Sequence, residues 1–116
     1  MNWLVRATIN SWNGVGSALR TERPFRWEAA ACIAGTPLAF WLTPSAGERL
    51  ALIGALAALL VVELLNTAIE KLADRVTLEN DDAIRRVKDM GSAAVGLTIL
   101  LAVAVWGAIA WQRLGF

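Results

Sequence analysis

Apolar residues recur at Val5, Ile9, Trp12, Val15 and Leu19, opposed by Arg6, Asn10, Asn13, Ser17 and Arg20 at similar three- and four-residue steps. That period lays one apolar and one polar stripe along a helix, so residues 1–22 are expected to form an amphipathic helix. Its apolar stripe and basic residues suit a membrane surface, with Trp3 and Trp12 at headgroup depth. After the polar stretch Arg20 to Arg26, the segment Ala29 to Leu42 is apolar but short, and it contains Pro37, which has no backbone N–H to donate. Trp27 and Trp41 near its two ends resemble interfacial anchors, and residues 27–43 are read as a first span. Pro44 and Gly47 then mark a turn.

Leu50 to Ile69 is broken only by Glu63, Asn66 and Thr67. Its eleven Leu, Ile and Val residues, each worth roughly −0.3 to −0.6 kcal/mol on insertion, offset one mid-helix acid at about 3 kcal/mol. A second span is therefore placed at 49–72. The short polar loop RVTLENDDAIRR follows, with Asp81 or Asp82 placed to cap the next helix. Gly91 to Trp111 carries no charge over twenty-one residues, which puts a third span at 88–111. The fold expected is an all-α membrane protein, a single domain over 1–116 with an N-terminal amphipathic surface helix and three transmembrane helices.

Composition agrees, since 57% hydrophobic residues in a chain of 116 is too apolar for an ordinary soluble domain. A net charge of +1, with acids interleaved among the bases, leaves no basic footprint for nucleic acid, and no such partner is expected. A single cysteine, Cys32, and no histidine exclude an internal disulfide and remove the usual transition-metal ligands, while oxygen-bound Mg²⁺ stays compatible. The first long apolar run begins only after Arg26, so a cleavable signal peptide is not expected. Arg6, Arg20, Arg23 and Arg26 precede the first span, and Lys71, Arg75, Arg85, Arg86 and Lys88 surround the second loop. Only Arg49 and Arg113 fall on the opposite side. The N-terminus and second loop are therefore expected in the cytoplasm and the C-terminus outside.

The stretch VVELLNTAIEKLADR holds the chemistry. On a helix turning about 100° per residue, Glu63, Asn66, Thr67, Glu70 and Asp74 share one sector, a polar stripe running toward the cytoplasmic end of the span. Two glutamates one heptad apart in a membrane helix point to a functional, water-accessible cleft more than to a structural hydrogen bond. Lys88, Asp89 and Ser92 open the third span, and Ser92 with Gly96, or Gly91 with Val95, is spaced for close helix packing. Glu22 and Glu28 stand before and at the entrance of the first span, and either is placed to add a carboxylate to the same cleft. Several carboxylates with one lysine at an interface suit transfer of a metal-bound phosphate to a lipid, with a further carboxylate accepting the hydroxyl proton. No GxxxxGK[ST] occurs, and GVGSAL is no substitute for it, so a P-loop is excluded.

VELLNTAIEKLADR followed by AIRRVKDMGSAAV closely resembles the paired signatures of the prokaryotic diacylglycerol kinase family, small integral membrane kinases that include undecaprenol kinases. The likeness covers nearly the whole chain. It implies transfer of the γ-phosphoryl group of ATP to the primary hydroxyl of a lipid, diacylglycerol or alternatively undecaprenol. The enzyme implied is a homotrimer with shared sites in the bacterial cytoplasmic (inner) membrane. It implies Glu63 as general base, Glu22 and Glu70 as Mg²⁺ ligands, Lys88 and Asp89 as nucleotide contacts, and Glu79, Asn80 and Asp81 as the loop beside the nucleotide. Asn66 and Asp74 resemble supporting polar residues. Glu28, Ser92 and the stretch Ala7 to Trp12, Trp12 above all, resemble lipid-side contacts, Glu63 also meeting the lipid, and Asn10 is implied as a nucleotide contact. Three positions depart from the family pattern: Trp3 where a basic residue is common, Asn10 where an aromatic is, and Asn13 where a lysine is. A small proton-coupled transporter would also use membrane glutamates, but it leaves Lys88, Asp89 and Glu79 to Asp81 idle.

Overall fold

The computed structural model describes residues 2–115, and they form four helices in chain order: α1 (Trp3–Thr21), α2 (Arg23–Leu42), α3 (Ala46–Val76) and α4 (Asp82–Leu114). Each begins where the local chemistry allows. The Asn2 side chain accepts from the Val5 N–H, Ser45 from Glu48, and Asp81 from Ile84, so three helices have one of their free first-turn donors satisfied. Of the two aspartates proposed to cap α4, Asp81 is the one that does so, and Asp82 lies inside the first turn. Glu22 breaks α1 from α2 with an extended backbone and makes no side-chain cap. Pro24 sits in the first turn of α2, where its missing N–H costs nothing. Pro37 lies inside α2 without ending it.

Helix α3 packs along both α4 and α2, whereas α2 and α4 meet little and α1 touches mainly α2, its buried residue being Ala18 near its C-terminal end. At 31 and 33 residues, α3 and α4 each extend about 45–50 Å, well beyond the ~30 Å of a bilayer's hydrocarbon core. These two helices are long and apolar enough to cross a membrane. The segment expected as the first span is α2, whose 20 residues match the same thickness but open with Arg23, Arg26 and Glu28.

The apolar core lies at the end where α2 turns into α3. Ala39, Leu52 and Ile109 are buried there, with Leu42, Ile53, Val105 and Trp106 around them. The Trp106 indole N–H donates to the Leu52 carbonyl at 3.0 Å. Beside this core a polar clasp joins three helix ends. Arg113 makes a two-pronged ion pair with Glu48 at 2.9 and 3.0 Å, and Glu48 also accepts from the Thr43 hydroxyl. Arg49 donates to the carbonyls of Thr43 and Phe40 and lies over the Phe40 ring. The pair is partly exposed, so Arg113→Gln is expected to lower the melting temperature in detergent slightly and leave turnover unchanged. Parallel thermal-denaturation and activity measurements check this.

Outside these regions the surface is markedly apolar. Leu97, Leu100, Leu101 and Val103 on α4 are more than half exposed, as are Trp3, Leu4 and Trp12 on α1. Contiguous apolar exposure on this scale requires lipid or another chain against it.

Candidate functional site

The polar stripe of α3 is divided by depth. Glu63, Asn66 and Thr67 are buried, whereas Glu70 and Asp74, one and two turns further on, are exposed. At a rise of 1.5 Å per residue, Glu63 stands about 20 Å along α3 from Leu50 and Glu70 about 30 Å. The stripe therefore leads from a buried part of α3 to an exposed one.

Both entrance glutamates join it, which pattern alone left open. Glu28 is close enough to Glu63 for their charges to repel, and Glu63 interacts likewise with Glu70 and Glu22. Glu22 of the α1–α2 junction and Glu28 of α2 thus each come near Glu63 of α3. One Glu28 oxygen, Oε2, and the Asn66 Oδ1 are buried without a hydrogen-bond partner. Buried polar atoms are seldom left so, and where they are, a functional role is a frequent reason. The Asn66 amide donates to Glu70 at 3.2 Å, linking the buried and open parts of the stripe.

Two lysines hold carboxylates at the mouth. Lys88 of α4 binds Asp74 at 2.6 Å, which bridges the helices across the loop. Lys71 of α3 binds Glu22 at 2.8 Å, and this hydrogen-bonded ammonium holds the Glu22 carboxyl below the usual carboxylate range. Around that pair Gly14, Ser17 and Ala18 of α1 approach Leu64, Thr67 and Ala68 of α3. The loop after α3 forms a half-open cleft of about 480 Å³ lined by Glu79, Asn80, Asp81, Arg85 and Lys88, among others. The loop residues and the lysine expected to act together therefore do line one space.

Other expected residues stand apart. Asp89 and Ser92 are exposed on α4, and Asn10 and Trp12 are exposed on α1, N-terminal to the part that meets α3. Within this chain, the close helix contact falls to Gly91 of the alternative pair and not to Ser92 or Gly96. Gly96 has open space where a Cβ would stand, while Gly91 is buried so tightly on Asn66 that a Cβ would collide with its side chain. The reason is rotational: one residue along a helix turns the contact by about 100°, and Gly91 is the position facing the stripe. Sequence reading gave Lys71 no role at the site; its spacing of one residue after Glu70 puts it beside the stripe, and only folding brings Glu22 to it.

Among the described residues, no group of three or more potential ligands stands close enough to hold a metal unaided. Mg²⁺ is ordinarily held by one or two carboxylates together with substrate phosphates. Glu22 and Glu70, both reachable from water and both flanking Glu63, fit that mode of binding.

The sequence comparisons bear on which chemistry applies. A family profile described as prokaryotic diacylglycerol kinase matches residues 9–110. The diacylglycerol kinase of Escherichia coli (strain K12) is 38% identical over 112 residues, 97% of this chain and 92% of its own length. That of Pseudomonas aeruginosa is 39% identical over 106 residues, covering 91% and 86%. The undecaprenol kinase of Bacillus subtilis is 30% identical over 95 residues, covering 82% and 77%.

Proposed function

The chain belongs to the prokaryotic diacylglycerol kinase family and is a lipid kinase, and from that premise we propose that it transfers the γ-phosphoryl group of ATP to the primary hydroxyl of diacylglycerol, giving phosphatidic acid. The observation that carries the reading is the stripe's division by depth: a buried carboxylate, Glu63, lies on the same face of α3 as the exposed Glu70 and Asp74, and Asp74 is held by Lys88, which lines the open cleft beyond. A lipid hydroxyl arrives from the hydrocarbon side and a nucleotide from the aqueous side. Glu63 lies where the two meet.

In this reading Glu63 accepts the hydroxyl proton as general base, and Glu28 lies beside it on the lipid side. Lys88 brings positive charge to the phosphates, with Asp74 orienting its ammonium and Glu79, Asn80 and Asp81 around the nucleotide. Glu22 and Glu70 are the residues that would hold Mg²⁺, which supplies neutralisation of phosphate charge when bound. Asn66 orients Glu70 through their hydrogen bond. Phosphoryl transfer needs little beyond such positioning and charge compensation. Glu70→Ala is accordingly expected to raise the Mg²⁺ concentration for half-maximal rate several-fold without unfolding a chain that exposes this side chain. A Mg²⁺ titration of initial rates checks it.

The membrane arrangement proposed has α2, α3 and α4 as three spans, with α1 on the inner surface of the cytoplasmic membrane. The N-terminus and the loop after α3 face the cytoplasm. A homotrimer completing each site from a neighbouring chain is supported by the apolar face of α4 and by Asp89 and Ser92, which this chain leaves exposed. Supplying the purified protein with Mg²⁺, ATP and either diacylglycerol or undecaprenol tests the assignment. Phosphate transfer to diacylglycerol is the result expected; preference for undecaprenol would move the chain to the other substrate, and transfer to neither would refute the reading.

A further inference from the structure

Glu22 ends α1 and precedes α2, yet its side chain caps neither helix. It crosses instead to α3, where the Lys71 ammonium takes it at 2.8 Å, while the neighbouring Thr21 hydroxyl, 3.3 Å from it, has a shorter acceptor in the Ser17 carbonyl at 2.9 Å. The charges acting on it are Lys71, Arg26 and Glu63. Arg26 is committed elsewhere, donating to the carbonyls of Leu19 and Arg20. Lys88 is engaged with Asp74. Lys71 is therefore the cation in direct contact with a glutamate that borders a group of mutually repelling carboxylates.

The character of the pair matters. Lys71 is 62% exposed and Glu22 24%, so the contact is screened by water and inexpensive to break. An ammonium on a flexible four-carbon stem is a strongly hydrated point charge that can withdraw to solvent without leaving a buried group unpaired. We infer that Lys71 is a resting counter-charge. It holds Glu22 against α3 while no divalent cation is present, and releases it when the cation arrives with nucleotide. This makes it a positioning residue that competes with metal rather than a ligand or a base, and the inference rests on the assignment of Glu22 to Mg²⁺.

The test uses the full chain in nanodiscs of zwitterionic lipid, with no lipid substrate, and follows binding of the Mn²⁺ complex of a non-hydrolysable ATP analogue by electron paramagnetic resonance. Lys71→Met is expected to bind this complex roughly two- to fivefold tighter than the unaltered chain, the factor an exposed ion pair is worth. Lys71→Arg is expected to match the unaltered chain, because it restores the competitor. The Mg²⁺ concentration for half-maximal turnover should fall by the same factor in Lys71→Met. Unchanged or weaker binding by Lys71→Met, against measurable binding by the unaltered chain, overturns the inference and leaves the kinase reading standing. Binding to the unaltered chain that Glu22→Gln does not weaken removes Glu22 from the metal site and overturns both the metal assignment and the inference.

Discussion

Glu63→Gln is expected to abolish most turnover, by roughly 10²- to 10⁴-fold, while leaving the protein folded and assembled. The substitution keeps the size of the side chain and its capacity to form hydrogen bonds, but a carboxamide takes up no proton at neutral pH. Glu63 is buried, so its environment is set by packing that the amide preserves. Removing one of several mutually repelling carboxylates also relieves electrostatic strain, so stability should hold or rise. The loss should fall on kcat, with little change in KM for ATP, because the residue lies on the lipid side of the stripe. Steady-state kinetics beside size-exclusion of the same preparation check both parts. Retained full activity would remove Glu63 from the role of base.

Gly91→Ala is expected to reduce turnover by about 10- to 100-fold and to destabilise the chain by about 1–3 kcal/mol, the usual cost of forcing atoms into a packed contact. A Cβ at Gly91 collides with the Asn66 side chain, which is itself buried between α3 and α4. Either the helices separate or Asn66 turns away, and the second movement breaks its hydrogen bond to Glu70. The site would then lose the link between its buried and open parts. Gly96→Ala and Gly107→Ala are the controls, because a Cβ at either position meets nothing within this chain. Helix propensity alone would make them neutral or slightly stabilising. Measured melting temperatures and rates for the three variants separate the outcomes. A large cost at Gly96 would place a second chain against that face of α4.

The two long apolar helices were legible because hydrophobic length is a local property, readable from Leu50 to Ile69 and Gly91 to Trp111 without knowing what touches what. The α3 stripe was legible for a similar reason, since a helix fixes the relative directions of Glu63, Asn66, Glu70 and Asp74 by spacing alone. The cap of α4 was narrowed by residue type to Asp81 or Asp82, and the helix's first turn chose Asp81. The Glu48–Arg113 clasp was not legible. Its partners are far apart in the chain, and each reads separately as an ordinary helix-end charge.

What the sequence by itself determined is the set of helices, the stripe of acids on one of them and, through the paired motifs, the family. These depend on periodicity, on hydrophobic length and on residue identities. Only the tertiary structure decided that Glu22 and Glu28 both approach Glu63, that Lys71 holds Glu22, and that Gly91 rather than Ser92 seats Asn66. Those contacts depend on the rotation of each helix about its axis and on the bend at Glu22. Both are settled by how whole surfaces pack, because a turn of about 100° per residue exchanges one neighbour for another while leaving the pattern along the chain unchanged.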